Sequence, residues 1–251
     1  MTRVRTYYDF ASTLCYIAHR VWGEMRADFE SLGVELEWVP LDLAALVGWP
    51  RGEEVLPVRF ANAEVDGARM GDIETLGYYL IIFTAGHDTT RNSLAGGMLA
   101  LVENPAEREK LRKSAVTGAV DAVEEIVRWT TPVNYMMRTA RSDYELGGTK
   151  VRNGDRLLLF YASANRDEAV FDDPFTFRVD RNPNPHLGFG TGEHFCLGSH
   201  LARRSQRALF SELIGRLTDV ELAGPPERLA ASFVAGVKHL PLRYRLAPPA
   251  A

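Results

Sequence analysis

One cysteine, Cys196, stands in the segment HLGFGTGEHFCLGSHLARR, which spans residues 186–204. His194 and His200 are close to it in sequence, and glycines lie on both sides. A cysteine in this setting could be an inert core residue, a nucleophile, a zinc ligand or the ligand of a larger group. Zinc is the weaker hypothesis, because a structural zinc site takes four ligands and no second Cys or His pair lies nearby. An inert core cysteine would not require the glycines around it.

The residues after Cys196 predict a helix. Apolar side chains recur there at near-helical intervals, at Leu197, Leu201, Ala208, Leu213 and Leu217. Cys196 is therefore expected at or just before a helix N-terminus, where backbone amides and the helix dipole favour a thiolate. The neighbouring glycines leave the backbone bare, so that a flat group could approach closely. They are Gly188, Gly190, Gly192 and Gly198.

A second polar cluster, HDTT at residues 87–90, lies inside a long apolar segment. Residues 71–104 contain no proline and predict one helix, with Asp72 as a possible N-cap and Pro105 just beyond the end. The first half is apolar on all faces, which predicts burial. Polar groups in a buried helix need a function, because an unpaired buried polar group costs free energy. The alternative is a turn facing solvent, in which Asp88 and Thr89 are solvated.

The elements that follow are a helix and a set of strands. Residues 118–131 predict a helix stopped by Pro132, and its Glu125–Arg128 pair would by itself be a surface salt bridge. Residues 138–164 alternate between apolar and polar, with turns at 147–148 and 153–154, and predict antiparallel strands. A coil rich in Asp, Pro and Asn then leads to the cysteine segment.

Composition excludes several classes of function. The 251 residues carry 29 Lys and Arg against 33 Asp and Glu, so the net charge of −4 gives no reason to expect a nucleic-acid partner. Two cysteines far apart, together with a start that lacks an apolar run, favour a reducing, cytoplasmic location. The longest apolar run, residues 75–86, is shorter than the roughly 20 residues that a bilayer needs. We therefore expect no transmembrane segment.

The first fifty residues have a different organisation. Residues 3–10 and 33–41 alternate like strands, and residues 13–32 have helical spacing, which together predict a βαβ unit. The segment GWPRGEE, at 48–54, interrupts the pattern as a linker would. Within the unit, YYDFASTLCYIAHRVWGEM resembles thioredoxin-like proteins of the DsbA and 2-hydroxychromene-2-carboxylate isomerase group. Ser12 and Cys15 stand where those relatives carry Cys-x-x-Cys or Ser, so a disulfide-forming pair is absent.

Four motifs in the remaining chain resemble the cytochrome P450 family. FGTGEHFCLG matches the haem-binding loop pattern F-x-x-G-x-x-x-C-x-G, with Cys196 at the cysteine. AGHDTT resembles the family's long distal helix, EEIVR its Glu-x-x-Arg helix, and DRNPNPH the loop before the haem site. The motifs occur in the family's order and cover about residues 55 to 246.

The resemblance implies a site that binds haem b. Cys196 would be the thiolate ligand of the haem iron, whose electron donation favours O–O cleavage. Phe189 and Gly190 would belong to the cofactor-binding loop, and His194 and Arg138 would hold the haem propionates.

The resemblance also implies roles on the opposite side of the haem. Asp88 and Thr89 would be the catalytic acid and alcohol that supply protons to dioxygen, beside a local distortion of the helix at Ala85 and Gly86. Glu125, Arg128 and Arg181 match the family's structural Glu-Arg-Arg cluster.

The implied partners are redox proteins and an apolar substrate. The subfamily resemblance is to bacterial members that hydroxylate steroids, terpenoids or branched lipids, with a pocket edged by residues 133–136. Electrons would come from a ferredoxin and ferredoxin reductase, which would dock near Arg203, Arg204 and Arg207.

The expected fold is mainly α with small antiparallel β-sheets: a truncated cytochrome P450 fold over residues 53–251, preceded by a thioredoxin-like βαβ segment over residues 1–52. Three functions follow from these resemblances. The first is a haem-thiolate monooxygenase. The second is a catalytically silent haem-binding fragment or fusion, because half of the substrate pocket is expected to be missing. The third is a thiol- or glutathione-dependent isomerase in the N-terminal segment.

Overall fold

The computed structural model describes residues 2–8, 34–40, 64–65 and 67–247, of which 2–8, 34–40, 65 and 115–118 are described by their backbone alone. It divides into two compact units, Met1–Leu80 and Ile81–Ala251. The division falls within a long helix, α1 (Asp72–Glu103). The sequence-based domain boundary at 52/53 stays a prediction.

The described residues of the first unit form two short sheets. Strands β1 (Thr2–Tyr8) and β2 (Val34–Pro40) pair in parallel. Parallel neighbours need a long crossover connection, as a βαβ unit has. The helix predicted between them lies outside the described residues. Strands β3 (Glu64–Val65) and β4 (Ala68–Arg69) form a small antiparallel ladder.

Helix α1 spans Asp72–Glu103, within one residue of the predicted range at either end. Its N-cap is Gly71, because the Gly71 carbonyl accepts the first helical hydrogen bond from Thr75 at 2.9 Å. The predicted N-cap, Asp72, is therefore wrong by one position. The Glu74 carboxylate accepts the Gly71 amide at 3.0 Å, which is half of a capping box.

The expected burial of the first half of α1 is wrong. Ile73 is 87% exposed, Leu76 67% and Ile81 57%, whereas burial begins at Asn92. The apolar composition of this segment did not predict its exposure, because the burial of a helix depends on what packs against it as well as on its own side chains. From Asn92 onward, α1 lies in the core of the second unit.

That core is built from helices that pack closely. Helices α2 (Pro105–Lys113) and α3 (Ala115–Thr130) follow α1 directly. A Cβ placed on Gly97 of α1 would lie 2.6 Å from Ile126 Cγ2 and 3.0 Å from Phe210 Cζ, so the helices approach too closely for any larger residue. The core residues of α1 to α3 are Met98, Ala100, Leu101, Leu111, Ala122, Val123 and Ile126.

The strands after α3 form separate antiparallel pairs. Strand β5 (Tyr135–Thr139) pairs with β8 (Arg156–Phe160), and between them β6 (Tyr144–Leu146) and β7 (Thr149–Val151) form a hairpin. The predicted turn at Gly147–Gly148 is confirmed, with both φ angles positive. The prediction of strand as far as Ala164 is wrong, because a one-turn helix, α4, occupies Tyr161–Ala164.

The C-terminal region completes the second unit. Helix α5 spans Ser199–Arg216 and runs into strand β9 (Leu217–Leu222). Strand β9 pairs with β12 (Leu242–Leu246), and β10 (Glu227–Arg228) pairs with β11 (Val237–His239). The architecture is helical with small antiparallel sheets, as predicted.

Candidate functional site

Cys196 lies in a loop that ends at the start of α5. Its amide donates to the Phe189 carbonyl at 2.9 Å, and its carbonyl accepts from Ser199 at 3.2 Å. Helix α5 begins at Ser199 with Gly198 as N-cap, which agrees with the predicted position just before a helix. The thiol is half-buried and belongs to no disulfide. Hydrogen bonds on both sides of the cysteine therefore fix its backbone.

Two glycines are required by the loop backbone. Gly190 and Gly192 have φ angles of +71° and +70°, which strain any residue with a Cβ. A Cβ on Gly190 would also lie 3.3 Å from the Tyr161 hydroxyl. A Cβ on Gly192 or Gly198 would meet nothing within 4 Å, so open space lies beside the loop there.

Apolar side chains flank the cysteine and are exposed. Phe195 is 47% exposed, Leu197 86% and Leu201 49%. Leu197 and Leu201, two of the apolar positions that predicted this helix, are therefore not part of its buried side. The buried side of α5 comprises Ser199, Gln206, Phe210 and Ile214. The exposed apolar groups leave a nonpolar surface next to the thiol.

The two proposed propionate ligands both carry donors that no carboxylate engages. Arg138, half-buried in β5, donates Nη1 to the Met137 carbonyl at 3.0 Å. His194 ends a short 3₁₀ turn, Gly192–His194, and is exposed. Neither forms an ion pair in the described part of the chain.

The zinc hypothesis finds no support in this geometry. Within the residues that the structure describes, no three His, Cys, Asp or Glu side chains come together in a way that could hold a metal ion. His194, Cys196 and His200 are therefore close in sequence without forming a ligand set.

Asp88 and Thr89 lie on a continuous stretch of α1. Thr89 Oγ1 donates to the Ala85 carbonyl at 2.7 Å. Asp88 accepts from Arg91 at 3.1 Å, and its side chain is 53% exposed. A Cβ on Gly86 would meet nothing within 4 Å, so space lies beside the helix where the resemblance places dioxygen. The assigned helix runs unbroken through Ala85 and Gly86, without the expected distortion.

A buried ionic cluster joins α3 to the segment before the cysteine loop. Glu125 and Arg128 are both fully buried and form a two-point ion pair at 2.7 and 2.8 Å. Arg181 Nε donates to the same carboxylate at 3.1 Å. The alternative of a surface salt bridge is wrong, and the three residues that the resemblance grouped are in contact.

Asn165 connects this ionic cluster to the segment before Cys196 by hydrogen bonds. Its backbone carbonyl accepts a hydrogen bond from Arg128 at 2.8 Å. Its side-chain nitrogen Nδ2 donates to the Thr131 hydroxyl at 2.9 Å, and its side-chain oxygen Oδ1 accepts from the Leu187 backbone amide at 2.7 Å. Asn165 is fully buried, and sequence reasoning missed it. No local signal distinguishes it, because all three partners are distant in sequence.

Sequence reasoning also missed Glu124, which is paired with two residues distant in sequence. Its carboxylate accepts two hydrogen bonds from Arg203, at 2.7 and 2.8 Å, and lies 3.0 Å from His186 Nε2. Burial works to raise the pKa of Glu124, but the bonds from His186 and Arg203 outweigh it and lower the pKa to about 2. Arg203 is thus ion-paired within the chain, and the predicted docking near Arg203, Arg204 and Arg207 stays a prediction. The one local signal for Glu124 was that it stands next to Glu125, so that two carboxylates adjoin on this helix.

Comparison with known proteins identifies the family. The cytochrome P450 family model matches residues 55–222. A methyl-branched lipid omega-hydroxylase of Mycobacterium bovis is 49% identical over 184 residues, which are 73% of this chain and 43% of that protein. A steroid C26-monooxygenase of the same organism is 44% identical, over 73% of this chain and 42% of that protein. The chain therefore belongs to the cytochrome P450 family.

A solved structure agrees with this assignment. The crystal structure of CYP108D1 from Novosphingobium aromaticivorans is similar with a TM-score of 0.73 and 40% identity. The similarity covers 93% of this chain and 54% of that one. The chain spans less than half the length of the curated relatives cited above.

The residues of the site fit haem b, the cofactor of this family. A free thiol is the donor that a haem-thiolate iron takes. The open space beside Gly192 and Gly198 and the exposed Phe195 and Leu197 leave room and a nonpolar face for a flat macrocycle. Arg138 and His194 carry donors of the kind that would bind its carboxylates. In the described ranges, no helix is both long and apolar enough to cross a membrane.

Proposed function

We propose that the chain is the haem-binding part of a monooxygenase that hydroxylates an apolar substrate with dioxygen. The observation that carries the proposal is the Cys196 loop, in which a free, half-buried thiol is held by its own backbone bonds beside open space and exposed apolar groups. Haem bound there would activate dioxygen and insert one of its atoms into a C–H bond.

Each residue of the site has a role in this proposal. Cys196 ligates the iron, with Phe189 and Gly190 shaping the loop around it. Arg138 and His194 bind the propionates through charge-assisted hydrogen bonds. On α1, Thr89 holds a hydroxyl at the helix surface and Asp88 exchanges protons with solvent, since its carboxylate is half exposed.

A steroid, terpenoid or branched lipid is the proposed substrate class. The names of the two curated relatives support it, since they act on methyl-branched lipids and steroids. The residues at 133–136 add a local argument. Tyr135 contacts the rings of Phe160 and Phe233, both at 5.7 Å between centroids. Phe160 and Phe233 are 53% and 44% exposed, so this part of the chain presents aromatic surface.

Electron transfer from a ferredoxin and its reductase, in the cytoplasm, belongs to the same proposal. Arg207 on α5 is 38% exposed and lies 3.8 Å from Glu124. Arg204 and Arg207 place positive charge on α5 after the cysteine, and such charge would attract an acidic redox protein. For residues 1–52, a thioredoxin-like segment remains the proposal, supported by the parallel pairing of β1 and β2.

The test is to add haem to the purified chain, reduce it and record the carbon-monoxide spectrum. We expect the band of a thiolate-ligated carbonyl complex, lost in Cys196→Ala and retained in Cys15→Ala, which removes the other cysteine. Equal spectra from Cys196→Ala and the unaltered chain would refute the ligand assignment. A thiolate band without product from steroids or branched lipids, given reduced ferredoxin, would instead favour the catalytically silent alternative.

A further inference from the structure

We propose that Glu124 is a positioning residue for the loop that carries Cys196. The role rests on the function proposed above, because it concerns how the iron ligand is held. Glu124 lies on α3, directly before the buried Glu125. The two adjacent carboxylates have different partners. Glu125 binds Arg128 and Arg181. Glu124 binds His186, ten residues before Cys196, and Arg203 in the helix after it.

The first contact reaches the helix after the cysteine. Arg203, in the first turns of α5, donates Nε to Glu124 Oε1 at 2.7 Å and Nη2 to Oε2 at 2.8 Å. The two side chains are 22% and 20% exposed. A two-point, charge-assisted pair with this degree of burial fixes direction as well as distance. The start of α5 is therefore tied to α3.

The second contact reaches the start of the loop. His186 Nε2 lies 3.0 Å from Glu124 Oε2, and the imidazole is 3% exposed. His186 Nδ1 accepts the Gly188 amide at 3.1 Å, so in the neutral ring Nε2 carries the proton and donates to Glu124. Glu124 thus fixes both the tautomer and the orientation of the ring. A carboxylate that orients a histidine in this way is a common device around metal sites.

Both partners of Glu124 converge on Phe189. The Arg203 guanidinium lies 4.4 Å from the centre of the Phe189 ring, and the His186 ring lies 5.8 Å from it. The Phe189 carbonyl accepts the Cys196 amide at 2.9 Å. A continuous path of contacts therefore runs from Glu124 through two side chains to the backbone of Cys196.

The decisive variant is Glu124→Gln in the full chain, which keeps the shape and removes the charge. We expect hydrogen exchange at the Cys196 amide to become at least about tenfold faster relative to the Ile126 amide of α3, because the loop opens locally. We also expect haem to bind more weakly, by less than the roughly 10- to 100-fold that follows loss of a direct outer partner of a metal ligand, because Glu124 acts through intervening side chains.

Three further variants separate positioning from general stability. Glu109→Gln removes an equally short two-point pair, with Arg112, on the exposed face of α2 and should leave the Cys196 amide unchanged. Val123→Ala weakens the core of α3 and should change the Cys196 and Ile126 amides by the same factor. Arg203→Lys keeps the positive charge but loses the two-point bond, and should act in the same direction as Glu124→Gln.

Unchanged exchange at Cys196 relative to Ile126 in Glu124→Gln would overturn the proposal. If Glu124→Gln does not fold, Arg203→Lys decides by the same criterion. The exchange measurement is made without haem, so it tests Glu124 even if the unaltered chain shows no thiolate spectrum. The carbon-monoxide spectrum of the unaltered chain separately tests the proposed haem-binding function.

Discussion

Replacing Glu125 by glutamine tests whether the pairing of one buried carboxylate with two buried guanidinium groups stabilises the fold. The Glu125 carboxylate accepts from Arg128 at 2.7 and 2.8 Å and from Arg181 at 3.1 Å. It also accepts the Arg178 amide at 2.9 Å and the Asn184 side chain at 3.1 Å. Glutamine has the same shape, but it carries no charge and presents an NH₂ group where one acceptor stood.

The expected loss is large because the positive charges stay behind. Glu125 and Arg128 are fully buried, and the Arg181 side chain is 4% exposed. Removing one partner of a buried ion pair costs about 3–5 kcal/mol, since the remaining charge is desolvated without compensation. With a denaturant slope of about 2 kcal/mol per M, the urea midpoint should fall by roughly 1.5–2.5 M.

The assay is equilibrium unfolding in urea, followed by circular dichroism and by tryptophan fluorescence. The matched control is Glu109→Gln, which also removes a carboxylate bonded at two points to an arginine, Arg112, three residues later. That pair lies at the surface, so we expect no measurable shift in the midpoint. Equal midpoints for the two variants would show that the buried cluster does not stabilise the fold as argued.

Three further predictions concern packing, pH and the proposed chemistry. Gly97→Ala forces a methyl group to within 2.6 Å of Ile126 and should lower the free energy of unfolding by about 1–3 kcal/mol, whereas Gly86→Ala, with nothing within 4 Å, should not lower it. Because the folded chain lowers the pKa of Glu124 from 4.5 to about 2, its stabilising effect is complete above pH 4.5 and is lost as the pH falls through about 2. Glu124→Gln should therefore make unfolding less pH-dependent in that window, and an unchanged pH profile would contradict the assignment. Thr89→Ala should still bind haem but release more hydrogen peroxide per reducing equivalent consumed; equal coupling would remove the hydroxyl from the chemistry.

The sequence by itself determined the long helix α1 and the positions in the cysteine loop where the backbone is special. Helix α1 was predictable between Gly71 and Pro105 because its boundaries are marked by local residue types. The glycines around Cys196 were predictable as special positions, and two of them do adopt positive φ. Signals of this kind act through the backbone of neighbouring residues, so a short stretch of sequence contains them completely.

Only the tertiary structure decided which polar groups are buried and which apolar groups are exposed. Glu125 and Arg181 are 56 residues apart, and Glu124 and Arg203 are 79 apart, so no periodicity links them. The exposure of Ile73 and Leu197 was likewise not predicted, because their apolar character does not specify what covers them. Burial and pairing depend on contacts between distant segments, and a one-dimensional pattern carries no direct measure of such contacts.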